Sequence, residues 1–213
     1  MGLYSRFVLP RLIDLAMKDE AAAARRSVLI PAAAGSVLEI GIGSGHNLPF
    51  YSAAVTRLQG VDPSAPLLSM ARKKLDRVAF PVELVCRSAE SLRLDARSID
   101  TVVTTWTLCS VPDPLQALRE MRRVLKPDGR LLFIEHGVSP DPKVQAWQRR
   151  LNPIWRRIGG GCNLDRRIDE LIRSAGFRIA ELQTTYLPGP RPMTYTYEGH
   201  ARPEDQVRTR TPR

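Results

Sequence analysis

The sequence predicts an α/β protein, a doubly wound and mostly parallel sheet preceded by an N-terminal helical segment. Three observations carry that prediction. A short apolar run from Ser36 to Ile40 breaks into alternating glycines at Gly41, Gly43 and Gly45. A β-branched run from Ser98 to Trp106 has the make-up of a strand buried on both faces. Between such runs lie segments with apolar residues at helical spacing, and strands that alternate with helices argue a parallel sheet.

The 213 residues are 43% hydrophobic and 25% charged, ordinary values for one soluble domain with appendages. The expected divisions are a helical segment over 1–30, the main domain over 31–200 and a flexible polar tail over 201–213. No apolar run approaches the ~20 residues that cross a bilayer, and no signal-peptide pattern is present, so the cytoplasm is the expected compartment. Cys86, Cys109 and Cys162 are odd in number and lack a C-x-x-C pairing; their spacing indicates neither a disulfide framework nor a zinc site. The net charge is +10, and residues 141–213 hold 14 basic against 8 acidic groups. Such a surface can attract the phosphates of nucleic acid or lipid, although a solvated arginine-rich face is the commoner meaning.

In chain order, residues 3–29 are helix-compatible, with Pro10 interrupting the start. Ser36 to Ile40 is the first strand, and the glycines after it allow positive φ and close backbone approach to a ligand. Asn47 to Ala54 is expected as the first crossover helix, and Arg57 to Asp62 as the second strand. Asp62, about 20 residues beyond the glycine loop, is placed to accept the hydroxyls of an adenosine ribose; Asp62-Pro63-Ser64 is also a good turn and cap. Leu67, Leu68, Met70, Ala71 and Leu75 give the next helix its apolar face. Val82 to Cys86 is the third strand, followed by Arg87-Ser88-Ala89-Glu90.

Thr107 to Val111 comes off the carboxyl end of the Ser98–Trp106 strand. Ligands of open α/β sheets bind beyond such ends, so Thr105, Trp106, Thr107 and Cys109 are candidates for the reaction centre. Trp106 either walls a ligand or plugs the core. A helix with Leu115, Leu118, Met121, Val124 and Leu125 facing inward ends in the turn Lys126-Pro127-Asp128-Gly129, and Arg130 to His136 is the next strand. His136, at the ligand-bearing edge, suits a general base or a hydrogen-bonded structural role. Val144 to Leu151 is helical, Gly159 to Gly161 imply a mobile loop, and Asn163 or Asp165 can cap the helix holding Leu171 and Ile172. Phe177–Thr184 and Thr194–Glu198 read as closing strands.

Glycine spacing decides the ligand class. A dinucleotide fingerprint is G-x-G-x-x-G, whereas here the third glycine comes one residue early and Glu39 stands two before the first. This E-x-G-x-G-x-G resembles motif I of the class I S-adenosylmethionine (SAM)-dependent methyltransferases. An acidic side chain beside the loop suits the ammonium and sulfonium of SAM and would repel a pyrophosphate, which disfavours a nicotinamide dehydrogenase. The helix, Lys126–Gly129 turn and strand resemble the same superfamily. The resemblance implies a Rossmann-like class I fold, SAM as cofactor and a lid over the cleft at 1–30. It also implies cofactor roles for Glu39, Gly41, Gly43, Gly45, Asp62, Ala89, Glu90 and Thr105: Glu39 fixing the loop, the glycines meeting the methionine part, Asp62 holding ribose, and Ala89 and Glu90 holding adenine.

Amino-methylating enzymes of nucleobases often carry an Asn/Asp-Pro-Pro-aromatic tetrad after the Ser98–Trp106 strand; its absence disfavours a nucleic-acid partner. Thr107-Leu108-Cys109-Ser110-Val111, Glu135-His136, Trp147-Gln148 and Gly161-Cys162-Asn163-Leu164 resemble the methyltransferase-like thiol S-methyltransferases and, less closely, bacterial phosphatidylethanolamine and quinone-biosynthesis methyltransferases. The animal thiol enzymes begin with a hydrophobic anchoring segment, and no such run is seen here. The expected function is methyl transfer to a small or amphipathic acceptor, with a lipophilic thiol as the resemblance-led choice. The alternatives are a phosphatidylethanolamine headgroup amine and a SAM-binding protein without activity. His136 and Cys109 are the catalytic candidates, and Trp147 and Trp155 among arginines suit peripheral contact with an anionic membrane.

Overall fold

The computed structural model describes residues 4–204. Seven strands form one sheet: β1 (Gly35–Ile40), β2 (Val55–Asp62), β3 (Val82–Cys86), β4 (Ile99–Thr105), β5 (Leu125–His136), β6 (Phe177–Tyr186) and β7 (Tyr195–Pro203). Their spatial order is β3-β2-β1-β4-β5-β7-β6. The first five neighbours are parallel, and β7 runs antiparallel between β5 and β6. The order reverses direction between β1 and β4, so a crevice opens beyond their carboxyl ends, where the glycine loop leaves the sheet.

The central strands are buried on both faces. Val37 and Leu38, Val102 and Val103, and Leu131 and Leu132 are consecutive pairs whose members belong to opposite layers of the core. On one face they meet Leu118 and Met121 of α4 (Pro114–Val124) and Ile168 and Ile172 of α6 (Ile168–Ser174). On the other they meet Ile30, which follows α2 (Glu20–Leu29), and Leu68 of α3 (Ala65–Arg72). The helix starts are chemically marked. Asp19 accepts from the amides of Ala21 and Ala22, Ser64 from Leu67 and Asp113 from Gln116, with proline in the first turn of α3 and α4.

Several expectations are corrected. The N-terminal helical stretch divides into a π-helical turn (Tyr4–Val8), α1 (Leu9–Ala16) and α2, the last set apart because Asp19 caps a fresh start. The helix expected over Asn47–Ala54 is one 3₁₀ turn, Leu48–Phe50. Pro49 sits in it, and the Asn47 and Tyr51 side chains are drawn inward to Glu39. The Lys126–Gly129 turn is an outward bulge within β5: Leu125 pairs with Ile99 and Arg130 with Thr101. The helix expected over Val144–Leu151 is longer, α5 (Pro142–Ile158), and continues through Pro153. Residues 201–203, expected in the tail, belong to β7, where Ala201 pairs with Leu131; residues 205–213 lie outside the described part. Among the described residues no helix is long and apolar enough to cross a membrane.

Candidate active site

At the carboxyl ends of β1, β2, β4 and β5 lies a cleft of ≈ 1340 Å³. Its first wall is the glycine loop. Gly41 donates to the Val61 carbonyl at 2.7 Å, and Gly43 donates to the Asp62 carboxylate at 3.0 Å. A Cβ on Gly43 would meet nothing nearer than 3.9 Å, so this glycine leaves open space beside the loop. Gly41 also lines the cleft, and a Cβ there would fall 2.0 Å from Thr107 Oγ1, so the β4 loop can approach only a glycine. Gly45 does not line the cleft: its α-carbon faces Leu48 and Ala71, letting α3 pack on the loop.

Asp62, 7% exposed, ends β2 and accepts from the amides of Gly43 and Ser64, tying the loop to the start of α3. Burial raises its carboxyl, opposed by those two amides. Glu39 is wholly buried on β1 and accepts from Asn47 Nδ2 at 2.9 Å and Tyr51 Oη at 2.8 Å. Burial pushes its carboxyl up to about 7 against those hydrogen bonds and the charge of Arg26. Asn47 Nδ2 also donates to Thr105 Oγ1 at 3.1 Å, joining the ends of β1 and β4. Ala89 and Thr105 line the cleft, but Glu90 does not. The Glu90 carboxylate is consumed by Ser88 Oγ at 2.5 Å and the Asp113 amide at 2.7 Å, so it braces the β3 loop against α4.

Trp106 sits at the end of β4 with φ 49°, an uncommon conformation for a bulky residue. Glu135 explains how it is held: this buried carboxylate accepts from Thr104 Oγ1 and from the amides of Thr107 and Leu108. Above the Trp106 ring lies the Arg26 guanidinium, 4.8 Å from its centroid. Arg26 also donates to the Met17 carbonyl, and burial pushes it down to about 10. Neither Arg26 nor the bracing role of Glu135 was evident in the sequence, where each is one charge in an amphipathic or apolar context.

The helix α1 crosses the cleft with Leu9, Leu12, Ile13 and Ala16. It is fastened to the glycine loop by Asp14, whose carboxylate meets His46 Nε2 at 3.0 Å and Lys18 Nζ at 2.8 Å. Burial raises the Asp14 carboxyl, but Lys18, Ser44 and His46 outweigh it and take it to about 2. Burial holds the His46 imidazole below its usual value. This pair joins residues 32 positions apart, and no local pattern announces it.

The far side of the cleft gathers Cys109, His136 and Cys162. Asn163 binds the Cys109 carbonyl through its amide at 2.8 Å and Nδ2 at 2.9 Å, so the two cysteine-bearing loops are stapled together. Arg166 Nη1 donates to the carbonyls of Leu108 and Val111. The three-glycine segment expected to be mobile is thus tied down on its carboxyl side, and Tyr4 Oη reaches the Ile158 carbonyl on the other. The closeness of the two thiols pushes Cys109 up, with burial acting in the same direction, and Cys162 down. His136, 5% exposed, places Nδ1 at 3.7 Å from Cys162 Sγ, and its Nε2 is buried without a partner. Buried side-chain atoms without partners, among the described residues, are Arg26 Nε, Asn47 Oδ1, His136 Nε2 and Trp155 Nε1, and all four residues line this cleft. Polar groups stranded around one opening are what a polar ligand would satisfy.

A methyltransferase-domain family model matches residues 38–133, from β1 into β5. With the switch-point cleft, the acidic residue before the glycine loop and Asp62 closing β2, the chain belongs to the SAM-dependent methyltransferases, and SAM is its cofactor. It is 35% identical to thiol S-methyltransferase TMT1B of Rattus norvegicus over 159 residues, 73% of this chain and 64% of the relative. The chain thus spans just under two thirds of the length of that relative. It is 30% identical to a phosphatidylethanolamine N-methyltransferase of Cereibacter sphaeroides, covering 78% of this chain and 80% of the relative. The fold is shared with a SAM-dependent methyltransferase structure from Thermotoga maritima, TM-score 0.64 at 22% identity, over 93% of this chain and 97% of that one.

Proposed function

We propose that this chain transfers the methyl group of SAM to a small lipophilic thiol. The observation that carries the reading is the joining in one cleft of apolar walls, among them Leu9, Leu12, Ile13, Ile158 and Met193, with the sulfur- and imidazole-bearing side chains of Cys109, His136 and Cys162. When bound, SAM supplies an electrophilic methyl on a sulfonium. The open space at Gly43 and the backbone of Gly41 suit its methionine part, and Asp62 its ribose hydroxyls. Ala89 lies where adenine would sit, and the orphaned Asn47 Oδ1 is an acceptor for an ammonium group. Glu39 and Thr105 act through Asn47, holding it in place. Alignment supplies most of the acceleration, since holding acceptor and donor in a near-attack geometry removes the entropic part of the barrier. The similarity to thiol S-methyltransferases supports the choice of acceptor.

A phosphatidylethanolamine headgroup is the second reading. It is favoured by the greater share covered of the lipid-methylating relative and by exposed Trp147, Ile154 and Ile158 on the arginine-bearing helix α5, a pairing suited to an anionic interface. Methyl transfer from labelled SAM decides between the two. Methyl thioether from an aliphatic thiol with no methylated lipid from phosphatidylethanolamine vesicles is the expected result; labelled lipid alone overturns the thiol assignment.

A further inference from the structure

We propose that Cys109, His136 and Cys162 form a zinc site with its fourth coordination position open to the cleft, and that a thiol acceptor enters that position as its thiolate. The second clause rests on the thiol reading above; the first does not. The three residues come from separate places, the loop after β4, the end of β5 and the loop after α5. One ligand atom from each lies within 4.8 Å of the other two. Around one tetrahedral zinc, bond lengths of about 2.3 Å to sulfur and 2.0–2.1 Å to nitrogen put such donors about 3.6–3.8 Å apart. The donors therefore stand no more than about 1.2 Å farther apart than zinc would hold them. Spacing along the sequence gave no sign of the site because each ligand arrives on a different crossing of the fold.

The surroundings favour a ligand over plain packing. Cys109 and His136 are both at least nine-tenths buried, yet the imidazole Nε2 has no hydrogen-bond partner, while Nδ1 lies 3.7 Å from Cys162 Sγ. The cysteine loops are held against each other by Asn163, bonded twice to the Cys109 carbonyl, and by Arg166 on the carbonyls of Leu108 and Val111. This keeps the donors together before any ion arrives. Two thiolates and an imidazole are donors that zinc takes well. All three residues line the cleft, and three protein ligands with an accessible fourth position are the pattern of reactive zinc, whereas structural sites are closed.

Such a site would solve the problem of a thiol acceptor. A free thiol has a pKa of about 8.5, and only its thiolate is a good nucleophile. On coordination the S–H bond breaks, its proton leaves to solvent, and the sulfur binds zinc. That sulfur then gives an electron pair to the methyl carbon. The carbon–sulfonium bond breaks with its pair returning to the SAM sulfur, and a thioether leaves the zinc. His136 is then a ligand and not a base.

The test uses the full chain, reduced, stripped of metal by a chelator, and titrated with Co²⁺ and then Zn²⁺, with SAM titrated in parallel. One Co²⁺ per chain with the thiolate charge-transfer band and visible bands of a tetrahedral site is expected, displaced by Zn²⁺. Cys109→Ser and Cys162→Ser should each weaken Zn²⁺ binding by at least about tenfold, while Cys86→Ser, at an exposed thiol, leaves it unchanged. Protein that binds SAM but gives no tetrahedral cobalt spectrum overturns the site and leaves the methyltransferase reading standing. A spectrum that survives both cysteine substitutions overturns it equally. Should those variants lose SAM binding as misfolded chains, the wild-type spectrum with its loss in His136→Ala decides. Addition of an aliphatic thiol should shift the cobalt bands; no shift removes the thiol clause.

Discussion

Asp62 shows how one carboxylate can serve both the fold and the ligand. Its two oxygens hold the amides of Gly43 and Ser64, yet the residue lines the cleft. Asp62→Asn keeps the size, removes the charge and leaves one oxygen for the two amides. Hydrogen bonds to charged groups are worth about 1.5–3 kcal/mol, so SAM affinity should fall on the order of ten- to a hundredfold, read by calorimetry on protein that still melts cooperatively. Unchanged affinity would take Asp62 out of the cofactor site. Glu39 makes a different prediction. Its carboxyl moves from the ordinary 4.5 to about 7 because burial disfavours the ionised form. The native chain therefore binds this proton more tightly than the unfolded one, and its contribution to stability falls as pH rises from about 4.5 to about 7. Denaturant unfolding of Glu39→Gln should show a shallower decline across that interval than the wild type; equal slopes would mean that Glu39 titrates normally. Both residues were legible in the sequence because a strand followed by glycines, and an acid about 20 residues on, form a local pattern. Glu90 and Gly45 come from the same pattern but do not line the cleft: pattern gives position along the chain, whereas the Asp113 amide and the packing of Ala71 decide where a residue faces.

At the scale of elements, α1 is tied to the loop after β1 through Asp14 and His46, while Leu12 and Leu15 remain exposed. The Asp14 carboxyl is held at about 2, so its contribution is present above its unfolded value and is lost only as pH falls through about 2. Partly exposed ion pairs are worth roughly 0–1 kcal/mol, so Asp14→Ala should weaken SAM binding by no more than about fivefold. Its clearer signature should be faster amide exchange in α1 with β1 to β5 unchanged. Protection of α1 equal to wild type would show that its apolar face alone fixes it. The sequence marked the starts of α3 and α4 through Asp62-Pro63-Ser64 and Pro112-Asp113-Pro114, whereas the Asp19 cap that begins α2 afresh went unread. It misled over Asn47–Ala54, where a stretch that looks like a crossover helix instead turns the Asn47 amide and Tyr51 hydroxyl onto Glu39 and Leu48 into the core.

For the whole molecule, the parallel half of the sheet followed from composition, since runs such as Ser98–Trp106 fit only a strand covered on both sides. What composition could not reveal is convergence. Arg26 over Trp106, Asp14 on His46, and Cys109 with His136 and Cys162 each depend on where separate crossings end. The orphaned polar atoms around the cleft give the central claim, a SAM-dependent methyltransferase centre, its physical basis. Calorimetric titration of the folded chain with SAM, its demethylated product and NAD tests that claim most directly. The account predicts micromolar binding of both sulfur nucleosides and none of NAD. Binding of NAD, or of neither sulfur nucleoside, would contradict it.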